Sequence, residues 1–306
     1  MTRPTSGTIG LAISAYGERA SASAFADYLE ICALKRRKLS LASLDEAIRD
    51  HGWSSDYRSL DIASDDDELP VSWADSLMSL VRERESALRG RYPFKISGAY
   101  VTLKASPSAA SRQYVRLLRL TAAHAYGFRG RPSTDVVFER LVSAALQKRG
   151  LPSAPMGTGS RSNKTFVNAL ETAGKAVGLD VSRDPYPRQR FARDGKVDAL
   201  SAITWSDGRP GQFTWLTQAT VGESSTWISK MKEPDPAIWA GYLNETLAPQ
   251  IILAIPHHVE PTHLAYLLAT RVGTVADRLR LAGYLPDEVE GEDAIREWFE
   301  AAQVEL

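Results

Sequence analysis

Three short apolar runs in the second half of the chain constrain the fold most strongly. Two of them, residues 199–205 and 213–217, have β-like composition and flank the turn sequence SDGRPG at 206–211. The third run, PQIILAI at 249–255, is unbroken and typical of a strand covered on both faces. Helical patterns lie before, between and after these runs. The order helix, two strands, helical insertion, strand, helix predicts a compact α/β core.

The glycine- and proline-containing sequence GFRGRP at 127–132 interrupts the chain, and we place a domain boundary near it. We predict that residues 1–130 form a mainly helical accessory domain with a short β element, and that residues 131–306 form the α/β domain. Apolar spacing of three and four residues predicts helices. These helices span residues 23–37, 73–89, 114–126, 133–148, 163–177, 262–281 and 293–302, with a further short helix capped by Ser40 and running to 48. Residues 92–103 alternate as one or two strands, 151–162 read as a loop, and the acidic run 64–68 as a solvated loop.

Composition excludes several classes of protein. The 306 residues carry 37 basic and 37 acidic side chains, so the formal net charge is zero. This excludes a protein that binds nucleic acid through a uniformly basic surface, but it does not exclude a local basic face. The one cysteine, Cys32, excludes a disulfide framework and a cysteine zinc site within the chain, and its apolar helical context indicates a buried thiol. No segment has the length of a membrane span and no signal peptide is evident, so we expect a soluble cytoplasmic protein without a membrane partner.

Two polar side chains are expected at one edge of the predicted sheet. Asp198 begins the first strand after a glycine turn, and Gln218 lies near the end of the second strand. Neighbouring strands would present them side by side. A carboxylate and an amide oxygen suit a hard cation such as Mg²⁺ or Mn²⁺. The alternatives are a turn-forming Asp198 that bonds its own backbone and a Gln218 satisfied by hydrogen bonds.

Two further residues complete the candidate site. Lys230 follows on a helix predicted to start near Ser224 or Ser225, and its ammonium could stabilise charge on a phosphate or orient an attacking water. Glu139, on the helix 133–148, could bind the cation directly or through water. Both residues could equally be solvated surface side chains. His257, His258 and His263 lie close together but do not form an HExxH motif, and zinc is the less favoured interpretation there.

This order of Glu139, Asp198, Gln218 and Lys230 resembles the PD-(D/E)xK restriction-endonuclease-like superfamily. The resemblance covers residues 133–285 and implies a restriction-endonuclease-like core, a mixed central sheet flanked by helices. The segment VDALSAITWSDGRPGQFTWLTQATVGESSTWISK is also similar to a bacterial group associated with defence and restriction. Two departures stand out. Gln218 replaces the usual second carboxylate, and Thr220 replaces the usual lysine, which Lys230 would then supply from a displaced position.

The resemblance implies a metal-dependent nuclease that cleaves DNA phosphodiester bonds in bacterial anti-phage defence or restriction. Asp198, Gln218 and Glu139 would hold Mg²⁺ or Mn²⁺, Lys230 would act on the phosphate or the water, and DNA, a partner defence protein and a second copy of the chain are the expected partners. The alternative is a catalytically inactive DNA-binding or assembly subunit of a defence complex. An RNase or toxin with the same core is a third interpretation.

Overall fold

The computed structural model describes residues 8–10, 16, 21–37, 39–40, 42–44, 46, 73–156, 165–182, 195–205 and 207–305. The predicted acidic loop at 64–68 therefore lies outside the described residues. The elements before residue 130 are, in chain order, β1 (Thr8–Ile9), α1 (Ser21–Leu34), α2 (Trp73–Leu88), β2 (Phe94–Ser97), β3 (Tyr100–Leu103) and α3 (Ala109–Ala125). The elements after it are α4 (Thr134–Lys148), β4 (Ser153–Pro155), α5 (Phe166–Val177), β5 (Ala199–Ile203), β6 (Phe213–Ala219), α6 (Trp227–Lys232), α7 (Pro236–Tyr242), β7 (Gln250–Ala254), α8 (Pro261–Ala269), β8 (Gly273–Ala276), α9 (Arg278–Leu281), α10 (Glu292–Ala301) and β9 (Gln303–Val304).

The centre of the protein is a five-stranded mixed sheet with the strand order β4-β5-β6-β7-β8. Strand β5 pairs antiparallel with both β4 and β6. Strand β7 pairs parallel with β6, and β8 pairs parallel with β7. Helices flank the sheet. The predicted α/β class, with a mixed central sheet flanked by helices, is therefore confirmed at this level. The three apolar runs became β5, β6 and β7, the three central strands, because their side chains can be buried on both faces.

Two sequence predictions were wrong at the edges of this sheet. The segment 151–162 was expected to be a loop, but Ser153–Pro155 forms edge strand β4 against β5. The helix expected over 262–281 ends at Ala269 and is followed by β8 and the short α9. Gly273 explains the second error, because its missing Cβ lets β8 lie directly against the backbone of Ile251. Asp277 then accepts a hydrogen bond from the Arg280 N–H at 3.2 Å and caps α9.

The helical predictions for the N-terminal part are confirmed, with α1, α2 and α3 over the expected segments. The segment 92–103 forms a hairpin in which Phe94 pairs with Leu103 and Ser97 with Tyr100. Ser40 also caps as predicted, since its hydroxyl accepts a hydrogen bond from the Ser43 N–H at 3.0 Å. The helix predicted over 114–126 begins earlier than expected, at Ala109, where the Ser108 side chain accepts a hydrogen bond from the Ser111 N–H.

Both sides of residue 130 contribute to one hydrophobic core. The largest buried cluster includes Phe25 from α1, Leu117 from α3, Val142 from α4 and Phe299 from α10. A segment from each side also forms a two-stranded sheet, because β1 pairs parallel with β9. The division into domains 1–130 and 131–306 stays a prediction about folding units. Within the described residues no helix is long and apolar enough to cross a membrane.

A buried charge network joins the N-terminal helices to the C-terminal part. Asp27 of α1 accepts hydrogen bonds from Arg84 of α2 at 2.8 Å and from two nitrogens of Arg278 of α9, each at 2.6 Å. Glu30 lies 3.0 Å from Arg84 and also accepts from the Tyr114 hydroxyl at 2.7 Å. Two carboxylates therefore balance two guanidinium groups in a water-poor interior. Such a network is tolerated only when every member is paired.

Candidate functional site

Asp198 lies at the point where β5 begins, across from the end of β6. The last register pair before it is Ala199 with Thr217. The Asp198 N–H donates to the Thr217 carbonyl at 2.8 Å, and its carboxylate Oδ2 accepts from the Ala219 N–H at 2.7 Å. Asp198 is half-buried. The strand pairing therefore sets its carboxylate beside Gln218, as the two neighbouring apolar runs predicted.

The Gln218 side chain is buried and its amide has a defined orientation. Its Nε2 donates to the backbone carbonyl of Lys196 and lies 3.4 Å from Glu233 Oε2. Both neighbours are acceptors, so the nitrogen is the end of the amide that must face them. The carbonyl oxygen is the end of this amide that can act as a ligand for a cation.

Glu233 is the central member of the site, and the sequence analysis missed it. Its Oε2 lies 3.3 Å from Lys230 Nζ and 3.7 Å from Lys196 Nζ, in addition to the contact with Gln218. Lys230 lies in the last turn of α6, and Glu233 follows directly after that helix. The i, i+3 spacing of Lys230 and Glu233 was a visible signal for their pairing. Only the fold could add Lys196 and Gln218.

A tight turn at Gly195 and Lys196 positions the start of β5. Both residues have left-handed backbone, with φ of 57° and 61°. Glycine is required at the first position, because a Cβ there would lie 2.7 Å from the rings of both Phe166 and Trp239. The Trp239 Nε1–H donates to the Gly195 carbonyl at 3.2 Å and holds the turn in place. The turn directs the Lys196 carbonyl to Gln218 and its side chain to Glu233.

Trp227 anchors the helix that carries Lys230. It is buried with Leu253 and Val275 of the sheet, so α6 packs against the sheet. Its Nε1–H donates to the Gly222 carbonyl at 3.0 Å, and its ring stacks on His263 with centroids 5.1 Å apart. The position of Lys230 therefore depends on a rigid aromatic contact one turn earlier in α6.

Glu139 lies half-buried on α4. Among the described residues, no group of three or more His, Cys, Asp or Glu side chains is arranged to hold a metal ion. Glu139, Asp198 and Glu233 thus do not form a three-carboxylate site. The same finding weighs against zinc at the histidines. There, His258 Nδ1 accepts from Arg84 at 3.1 Å and His257 Nε2 lies 3.2 Å from the Val221 carbonyl.

The residues of the site fit a hard cation only in part. Asp198 and Gln218 supply a carboxylate and an amide oxygen at neighbouring positions, which is the ligand type that Mg²⁺ and Mn²⁺ prefer. Mg²⁺ often binds through one or two carboxylates and completes its shell with water and substrate phosphate. Two such ligands alone would hold a cation only weakly.

The fold and the site define an α/β protein with a mixed five-stranded sheet and a polar site where β5 begins and β6 ends. Comparison with protein families, with curated proteins and with solved structures finds no match to this chain. The resemblance to restriction endonucleases accordingly stays a prediction from the sequence.

Proposed function

We propose that the protein is a metal-dependent nuclease that cleaves DNA phosphodiester bonds with a restriction-endonuclease-like core. One observation carries the proposal: β5 and β6 bring Asp198 beside Gln218, and Glu233 links the Gln218 amide to Lys230 of α6. A carboxylate, a second oxygen ligand and an ammonium are groups that metal-assisted phosphodiester cleavage uses. The proposed setting is bacterial anti-phage defence or restriction in the cytoplasm, with DNA, a partner defence protein and a second copy as partners.

Each residue has a separate proposed role. Asp198 and Gln218 would hold Mg²⁺ or Mn²⁺, and Glu139 would support that ion from α4 through water. When bound, such an ion polarises the phosphate and lowers the pKa of a bound water. The ammonium of Lys230 would stabilise the negative charge that develops on the phosphate oxygens. Asp198 also ties the two strands together through the Ala219 N–H, which keeps its carboxylate in a fixed position.

The small number of carboxylates near Gln218 has a consequence for metal binding. Because the amide brings no charge, the free protein should bind Mg²⁺ weakly, and affinity should rise when a nucleic-acid phosphate adds its oxygen ligands. Metal titration with and without a non-cleavable phosphorothioate duplex should show tighter binding in its presence.

Cleavage assays test the proposal directly. Plasmid, single-stranded DNA and RNA are incubated with Mg²⁺ or Mn²⁺ and with wild type, Asp198→Ala or Lys230→Ala. Lys232→Ala, an exposed lysine on the same helix, and Asp207→Ala, an exposed turn residue, are matched controls. We expect metal-dependent cutting of DNA that is lost in the first two variants and kept in both controls. Cutting that survives Asp198→Ala would refute the assigned site, and RNA cleavage alone would favour the RNase interpretation.

A catalytically inactive DNA-binding or assembly subunit is the second candidate. The pairing of Lys230 and Lys196 with Glu233 favours it, because both ammonium groups already have an ion-pair partner within the protein. In that case wild type should cut none of the three substrates with either metal, and duplex binding should be unchanged by Asp198→Ala.

A further inference from the structure

We propose that Lys196, Lys230 and the Gln218 amide nitrogen form a phosphate-binding site which Glu233 occupies from within. The carboxylate of Glu233 stands in for a phosphate oxygen, and a nucleic-acid phosphate would displace it. The inference rests on the proposed function in so far as it identifies that phosphate as the substrate's. It adds regulation to that function, because Glu233 of the same chain occupies the site when no phosphate is bound.

Three nitrogen atoms from three separate segments converge on one oxygen. Lys230 Nζ lies 3.3 Å, Gln218 Nε2 3.4 Å and Lys196 Nζ 3.7 Å from Glu233 Oε2. Lys196 comes from the turn before β5, Gln218 from the end of β6 and Lys230 from α6. Convergent N–H donors around a single oxygen are how proteins bind carboxylates and phosphates alike. A phosphate oxygen could therefore use the same three donors.

Glu233 can leave these donors without disturbing the fold. Its side chain is 22% exposed, and those of Lys230 and Lys196 are 36% and 50% exposed, so the cluster is open to solvent on one side. Ion pairs exposed to this degree contribute little to folding stability because water competes for both partners. Glu233 also follows the last residue of α6, so its side chain can rotate away while the helix stays intact.

The left-handed backbone conformation of Lys196 supports a specific role for its ammonium group. A non-glycine residue in the left-handed region is uncommon and costs free energy. Here that conformation sends the Lys196 carbonyl to Gln218 while its ammonium reaches Glu233. One strained residue therefore orients two of the three donors.

Binding without metal separates this inference from catalysis. The probe is a fluorescein-labelled DNA duplex in EDTA, with inorganic phosphate as competitor. Glu233→Gln keeps the side-chain size and removes the negative charge. Glu223→Gln makes the same change in net charge at an exposed position just before α6 and is the matched control.

We expect Glu233→Gln to tighten duplex binding by about tenfold, the scale of one additional charge-assisted hydrogen bond to the phosphate. The control should change affinity much less. Lys196→Ala should weaken binding, whereas Lys232→Ala should leave it unchanged. Inorganic phosphate should compete more effectively against Glu233→Gln than against wild type. Melting temperatures measured by circular dichroism identify any variant whose fold has changed.

The outcomes are distinct from those of the cleavage assay. If Glu233→Gln binds no more tightly than Glu223→Gln, the phosphate site is refuted, whatever wild type cleaves. If Glu233→Gln abolishes cleavage while affinity in EDTA is unchanged, Glu233 is a metal ligand and the inference is overturned. If binding tightens but neither protein cuts, the phosphate site stands and the nuclease proposal fails.

Discussion

His257 should make the stability of this protein depend on pH in a predictable direction. Its imidazole is buried against the rings of Tyr16 and Trp227, with centroids 4.8 Å and 5.8 Å away. Burial, followed by the nearby guanidinium of Arg278, lowers the pKa of His257 from its usual value to about 4. The hydrogen bond with the Val221 backbone and the charge of Asp27 oppose this shift of the pKa, and His124 adds to it, all by smaller amounts. The folded protein therefore keeps this imidazole neutral at pH values where the unfolded chain protonates it.

The magnitude follows from the two pKa values. Because the folded pKa is lowered, the contribution of His257 to stability is fully present above about pH 6.5 and is lost as the pH falls toward 4. At pH 5 the unfolding free energy should be lower than at pH 7.5 by about 2 kcal/mol from this residue alone. Below pH 4 the loss should approach about 3 kcal/mol.

Urea unfolding followed by tryptophan fluorescence between pH 7.5 and 5 measures this effect. His257→Gln removes the titrating group and keeps a donor for the Val221 carbonyl, so the gap in unfolding free energy between wild type and variant should change by about 2 kcal/mol over this range. His124→Gln, a half-buried histidine bonded to Thr134, is the control for loss of a histidine side chain. A gap between wild type and His257→Gln that is the same at pH 7.5 and at pH 5 would refute the assignment.

Three further predictions concern packing and charge. Asp27→Asn should lower the unfolding free energy, measured by urea unfolding, by about 3–5 kcal/mol, because it leaves Arg84 and Arg278 with an uncompensated buried charge. By comparison, the loss of a surface ion pair such as Arg296–Asp293 should cost no more than about 1 kcal/mol. Gly195→Ala should destabilise the protein and weaken duplex binding, since its Cβ would clash with two rings, whereas Gly208→Ala, with open space around its Cβ, should leave duplex binding unchanged. Cys32, whose pKa burial raises to about 12, should react with a thiol reagent at pH 8 only after unfolding, and rapid labelling of the folded protein would contradict its buried position.

The sequence predicted much of the local structure because local signals decide it. Periodic apolar spacing located α1 to α5, although α3 begins at Ala109, before the predicted start at residue 114. The segment 262–281 shows the limit. Its apolar spacing fits a long helix, but the preference of Val272 to Val275 for a strand is realised only because β7 offers an edge to pair with.

The candidate site likewise has one part that the sequence predicts and one part that it does not. The pairing of Asp198 with Gln218 was predictable, because one hairpin joins their strands and register follows from it. The convergence of Lys196 and Gln218 on Glu233 was not, since it depends on a left-handed turn and on where α6 packs against the sheet.

The buried charge network was wholly beyond the sequence. Asp27 and Arg278 are 251 positions apart, and no spacing rule relates them. What the chain by itself determined is therefore the identity of its helices and central strands, which depend on neighbouring residues. The tertiary structure alone decided which charges are buried together and which nitrogen atoms face Glu233, because those contacts form only when distant segments share one core.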